Sequence, residues 1–242
     1  MTATYIELGH AGRMGNAIFQ ISATIGYAKK YGVQFCFPKW EHQNSFNIPQ
    51  EFFVDKELIS VKSKYSEPGY TYSEIPFQEN CSLYGYYQSW KYFDNCREYI
   101  RELFTPPSLD ATLKDYCCVH VRRTDYLNYP KHHPIQPMQY YMSAAEKIPT
   151  KKFVVFSDDV GWCRQNFKGN EFTINETSSV ISDFSKMVSC SHYIIANSSF
   201  SWWAAWLSRN EGKVVVAPNN WFGPAYSAWS TEDLIPSKWI RL

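Results

Sequence analysis

Four short apolar runs in the second half of the chain constrain its fold most. Residues 116–121, 152–157, 192–196 and 213–217 are rich in valine and isoleucine, lack polar alternation, and end in turns. Strands of that kind suit a sheet buried on both faces, which means a parallel sheet covered by helices. The intervals supply the helices: Val180, Ile181, Phe184, Met187 and Val188 share one helical face, and residues 199–208 read as a second helix of small and aromatic residues. The expectation is a doubly wound α/β domain.

The opening reads as strand, glycine turn, helix, strand. Residues 4–8 are β-prone, Gly9, Gly12 and Gly15 punctuate the turn, Ile18, Ile21, Ile25 and Ala28 recur at helical spacing up to Gly32, and residues 33–37 form the next strand. Residues 41–80 lose periodicity and collect Asn44, Asn47, Pro49, Pro68, Gly69 and Pro76, as loops do. Order returns in a strand-like stretch at 83–87 and a helix from about 93 to 103. Thr105-Pro106-Pro107-Ser108 reads as a linker, so two domains are expected, 1–105 and 106–242.

Charge narrows the partners. Lysine and arginine total 24 against 23 acidic residues, so no global field holds a nucleic acid, and any anion must be met by a local cluster. No run of about 18 uncharged apolar residues is present, and the N-terminal residues lack a basic, then apolar leader. A soluble cytoplasmic protein without a membrane anchor is expected. The seven cysteines form no C-x-x-C pair and read as reduced core thiols. In that setting the triplets Asn175-Glu176-Thr177 and Asn197-Ser198-Ser199 carry no expected glycan. Aromatic residues make up 18% of the chain; each of the nine tryptophans reads first as core, although such rings also stack on sugars.

Open α/β sheets bind ligands beyond the carboxyl ends of their strands, so polar residues just past each run are the ones to inspect. His120-Val121-Arg122-Arg123-Thr124-Asp125 leaves the first run; Arg122 there suits a diphosphate, while an Arg123–Asp125 surface pair and a core His120 are the bland reading. Phe156-Ser157-Asp158-Asp159 ends the second; its carboxylates suit ribose or guanine, a metal, or a helix cap. Ala196-Asn197-Ser198-Ser199-Phe200 enters a helix whose free N–H groups suit an anion, or is simply an N-cap. The turn Gly9-His10-Ala11-Gly12-Arg13-Met14-Gly15-Asn16 superficially matches a dinucleotide fingerprint, yet Phe37-Pro38-Lys39 offers no ribose carboxylate, which argues against NAD.

Taken together these segments resemble the GDP-fucose-dependent α-1,2-fucosyltransferases of glycosyltransferase family eleven. Gly12-Arg13-Met14-Gly15-Asn16 is similar to that family's glycine turn, residues 85–93 to its mid-chain block, His120 to Asp125 to its H-x-R-R-x-D motif, and residues 156–159 and 197–206 to its second and third motifs. The resemblance implies a GT-B-like α/β fold, two Rossmann-type domains with a cleft between them. It implies an inverting, metal-independent transfer of L-fucose from GDP-fucose, a substrate rather than a cofactor, to the 2-hydroxyl of a galactose-terminated glycan, with the C-terminal domain binding the donor.

By the same resemblance Arg122 neutralises the β-phosphate with His120 and the Ser198-Ser199 turn in support, Asp158 or Asp159 meets guanine or ribose, and Asn197 and Phe200 complete the donor side. Arg13 and Asn16 approach the donor from the other domain. Asp125, His10, His132 and His133 remain candidates for the base, with Asp125 carried among the catalytic residues, and acceptor choice is expected in residues 41–80. Competing readings are a fucosyltransferase of another linkage, a non-catalytic carbohydrate-binding protein suggested by the aromatic content, and a nicotinamide-dependent oxidoreductase.

Overall fold

Strand pairing among the described residues is parallel throughout, as expected where strands are joined by crossovers rather than hairpins. The computed structural model describes residues 1–176 and 179–242; Thr177, the third residue of the first glycosylation triplet, lies outside them. The chain forms two compact units, Met1–Pro107 with Trp229–Pro236, and Ser108–Ala228 with Ser237–Leu242. The first crossing falls in the proline run, and the segment Trp229–Pro236 groups with the first unit.

In the first unit β1 (Thr2–Ala3), α1 (Met14–Tyr31), β2 (Gln34–Phe35), β3 (Phe37–Pro38), β4 (Phe53–Val54), β5 (Ser63–Ser66), β6 (Cys81–Tyr84) and α2 (Arg97–Phe104) follow in order. β1 pairs with β2, β3 with β4 and β5 with β6, and a bridge from Thr4 to Ser82 joins the first pair to the last. Helix α1 buries Ile18, Ile21, Ile25 and Ala28 completely and ends at Gly32, in the left-handed conformation.

Two expectations are corrected here. The strand expected at 4–8 is instead β1 at Thr2–Ala3, followed by a single bridge at Thr4, because Leu8 N donates to Tyr5 O at 3.1 Å and His10 N to Glu7 O at 3.1 Å, turning the chain early. The helix expected from 93 begins at Arg97, since Phe93 has φ −132° and residues 90–96 form tight turns.

The second unit holds β7 (Cys117–Val121), α3 (Met138–Ala145), β8 (Phe153–Ser157), α4 (Val160–Asn166), β9 (Phe172–Ile174), α5 (Val180–Val188), β10 (His192–Ile194), α6 (Ser199–Leu207), β11 (Val215–Ala217) and β12 (Ile240–Arg241). Its sheet runs β12-β11-β10-β7-β8-β9, so strand order reverses between β7 and β10. That doubly wound order places a crevice at the reversal. β7 and β8 are buried along their whole length, which explains their mainly apolar sequence.

Helix α6 supplies much of the core: Trp202, Trp203, Ala204 and Ala205 are fully buried, and Trp202 lies 5.6 Å from the Trp239 ring. Val180 is 52% exposed and stands off the apolar face of α5, which rests on Phe184, Met187 and Val188. No helix among the described residues is long and apolar enough to cross a membrane.

Candidate functional site

β7 and β10 leave the sheet side by side at the point where strand order reverses. His120, the penultimate residue of β7, is buried, and its Nδ1 lies 2.9 Å from Ser201 Oγ on α6. Burial, with help from the Arg122 charge and against Asp158, pulls its pKa down to about 3, so the ring is neutral at physiological pH. Beyond β10, Ser198 caps α6 and its Oγ accepts from Phe200 N at 3.4 Å. The amino end of α6, with its partial positive charge, therefore opens at the strand reversal. Ser199 and Phe200 are partly exposed there, and the Phe200 ring lies 5.8 Å from His120 and 5.3 Å from Phe184.

Past Val121 the chain turns over the end of β8. Val121 pairs with Ser157, which brings the residues after each strand together. Asp158 Oδ1 accepts from Arg123 N at 2.9 Å, and its Oδ2 accepts from Thr124 N at 3.2 Å and Thr124 Oγ1 at 2.5 Å. Arg122 lies between two carboxylates, 3.0 Å from Asp158 Oδ2 and 2.7 Å from Asp125 Oδ1, with its guanidinium 5.6 Å from the Tyr126 ring. Asp159 caps α4 by accepting from Trp162 N at 3.0 Å and pairs with Arg123 Nε at 3.1 Å, while Arg123 covers the Trp162 ring at 4.1 Å. Arg123 thus takes Asp159, and it is Arg122 that takes Asp125.

A second layer frames this loop. Tyr126 Oη donates to Asn197 O at 2.9 Å, and His133 stacks on Tyr126 at 4.9 Å. Burial, His132 and Arg122 push the His133 pKa down, opposed by Asp125. His132 stands edge-on to Tyr226 at 4.9 Å. Asn197 is buried and its side chain is held inside the protein: Nδ2 donates to Pro134 O and Trp221 O, and Oδ1 accepts from Gln136 Nε2.

The structure gathers His120, Arg122, Asp125, Asp158, Asp159, Asn197, Ser198, Ser199 and Phe200 at one end of the second unit's sheet. Arg13 and Asn16 belong to the first unit, on the glycine turn with exposed His10. Arg13 is exposed at the N-cap position of α1, and Asn16 Oδ1 accepts from Gln88 Nε2 at 2.9 Å. Gly12, at φ +88°, is required: a Cβ there would lie 1.9 Å from Asn16 Nδ2.

Sequence reasoning missed Thr124, Ser201 and Tyr126. Ser201 carries a faint signal, a hydroxyl in the first turn after a capping serine; Tyr126 carries none. Among the described residues, no group of three histidine, cysteine or acidic side chains is placed to hold a metal ion.

Comparison with known proteins adds four findings. The model of the family described as glycosyl transferase family 11 matches residues 37–242. The chain is 30% identical over 239 residues to the O-antigen biosynthesis glycosyltransferase WbnK of Escherichia coli, covering 83% of this chain and 75% of that one. It is 32% identical over 180 residues to an alpha-1,2-colitosyltransferase of Escherichia coli, covering 65% and 61%. Among solved structures, POFUT1 in complex with GDP superposes with a TM-score of 0.54 at 10% identity, covering 88% of this chain and 97% of that one. At that identity the likeness speaks to fold, an α/β architecture of the GT-B type.

Proposed function

The chain belongs to glycosyl transferase family 11, and from that premise we propose that it transfers L-fucose from GDP-β-L-fucose to the 2-hydroxyl of a terminal β-galactoside with inversion. The supporting observation is the conjunction at the strand reversal of Arg122 with the amino end of α6, tied through His120 and Ser201 at 2.9 Å. In the displacement the acceptor oxygen bonds to the anomeric carbon as the bond from that carbon to the β-phosphate oxygen breaks. The acceptor proton passes to a base, and the electron pair leaves with GDP. Negative charge grows on the phosphate, where a preorganised guanidinium and helix terminus have most effect.

Each group has a part in this reading. Arg122 clamps the phosphate. His120, neutral and buried, positions rather than neutralises. Asp158, held by four donors, shapes the Arg122 loop. Three carboxylates already surround the two guanidiniums, so an incoming diphosphate competes for Arg122. Asp125, 37% exposed against 19% for Asp158, is the one that yields. A displaced Asp125 is then free to take the acceptor proton. Arg13 and Asn16 contact the donor from the glycine turn.

The test is incubation with GDP-fucose and a panel of β-galactosides, with and without EDTA, following GDP release. Release that survives EDTA is expected. Loss of release in EDTA contradicts the metal-free reading, and no release from any acceptor while GDP still binds contradicts the acceptor assignment. The likeness to an alpha-1,2-colitosyltransferase favours one second reading, a colitosyl donor at the same site. A competing colitosyl donor used in preference to fucose would establish it.

A further inference from the structure

Glu67, in the aperiodic stretch 41–80, holds the segment whose Gln88 bonds to Asn16 on the glycine turn. It lies just past β5, and its Oε2 accepts two backbone N–H groups, from Tyr86 at 2.7 Å and Tyr87 at 2.8 Å. Both belong to a strained segment: Gly85 has φ +152° and Tyr87 has φ +52°. A Cβ at position 85 would fall 2.4 Å from Glu67 Cβ, so the glycine is what admits the carboxylate. From the other side Tyr5 Oη donates to Gly85 O at 2.7 Å. Gln20 Nε2 bridges Gly85 O at 3.3 Å and Ala11 O at 3.2 Å. Gln88 then donates to Asn16 Oδ1 at 2.9 Å. Glu67, residues 85–88 and the glycine turn form one hydrogen-bonded body.

The carboxylate is poised to respond to pH. Burial pushes its pKa up to about 7, against the pull of the Tyr87 and Tyr86 amides. The ionisable groups that feel it are the phenols of Tyr5, Tyr87 and Tyr92, which burial itself pushes upward, Tyr5 to about 12. All three are neutral when Glu67 titrates.

We propose that Glu67 is a positioning residue for the transfer: through residues 85–88 it fixes Asn16 and the glycine turn in the orientation that meets the sugar nucleotide. This rests on the reading of Arg13 and Asn16 as donor contacts. Ionised Glu67 is the stronger acceptor for the two amides, so activity should rise with pH through the neutral range.

The experiment measures donor kcat/KM and melting temperature for the wild type, Glu67→Ala, Glu67→Gln, Asn16→Ala and the double alanine variant, between about pH 6 and about pH 8. Glu67→Ala should lose about 10- to 100-fold in kcat/KM, mostly in kcat, as expected for a displaced contact. The amide oxygen of Glu67→Gln still accepts both N–H groups, so this variant should recover most of that loss while its profile flattens across the window. Asn16→Ala should also lose activity, and the double variant should lose little more than either single one.

If Asn16→Ala loses activity while folded Glu67→Ala keeps the wild-type kcat/KM, the inference is wrong and the donor reading stands. If Asn16→Ala is fully active, the donor reading of Asn16 fails and takes the inference with it. Should Glu67→Ala not fold, Glu67→Gln decides: a wild-type inflection near neutrality overturns the proposal, and a flat profile supports it.

Discussion

Arg122 is already compensated, with Asp125 at 2.7 Å and Asp158 at 3.0 Å, and that balance sets what its neighbours should do. Arg122→Ala should lower kcat by about 100- to 1000-fold, and Arg122→Lys should recover little, because a point charge does not reproduce a bidentate fork. Steady-state kinetics on both variants checks this. Asp125→Asn removes the carboxylate that competes with the diphosphate, so GDP should bind it more tightly while turnover falls; titration calorimetry alongside kinetics reads both. His120 gives a pH signature. Its pKa in the folded protein, about 3, lies below the ordinary 6.5, so the unfolded chain takes up a proton that the folded one refuses. Stability should therefore fall as pH drops from about 6.5 towards about 3, by up to about 1.4 kcal/mol per pH unit. In denaturant melts across that window His120→Asn should show a shallower slope, and an unchanged slope would assign the effect elsewhere.

At the scale of elements, the glycine turn and α6 are the parts that position side chains. Gly12→Ala forces a Cβ onto Asn16 Nδ2 at φ +88°. It should cost about 1–3 kcal/mol in stability and lower donor kcat/KM, by melting and by kinetics. β7, β8, β10 and β11 were legible in the sequence because they are almost wholly buried and mainly apolar, with His120, Ser157 and His192 the polar residues among them. The first unit was less legible, since most of its strands are two residues long, too short for a period to register. β9 and β12 were missed for a related reason: both lie at sheet edges, β9 mixing exposed with half-buried positions and β12 exposed at both of its residues. The site followed the same logic. His120, Arg122 and Asp158 stand just where strands end, which a sequence reveals. Ser201 meets His120 across 81 residues and Glu67 meets Tyr87 across 20, and no local pattern carries contacts of that kind.

At the scale of the whole molecule, the last segments serve both units. Trp229 stacks on Tyr70 at 4.2 Å, and Asp233 accepts from Tyr72 N at 2.7 Å and from Lys91 Nζ, so the segment Trp229–Pro236 pins the otherwise aperiodic stretch of the first unit. The chain then returns to the second unit, where Leu242 N donates to Ala217 O at 3.0 Å and Trp239 packs on Trp202. Deleting residues 237–242 should therefore lower the melting midpoint by about 5 °C or more, and an unchanged midpoint would show that β12 adds nothing to the sheet. The most direct measurement of the reaction itself is the linkage and anomeric configuration of the product made from GDP-fucose and a β-galactoside, determined by NMR. Inverting transfer governed by Arg122 predicts an α-linked fucose on the galactose 2-oxygen, formed by the wild type and sharply reduced in Arg122→Ala. A β-linked product, fucose on another hydroxyl, or undiminished synthesis by Arg122→Ala would contradict it.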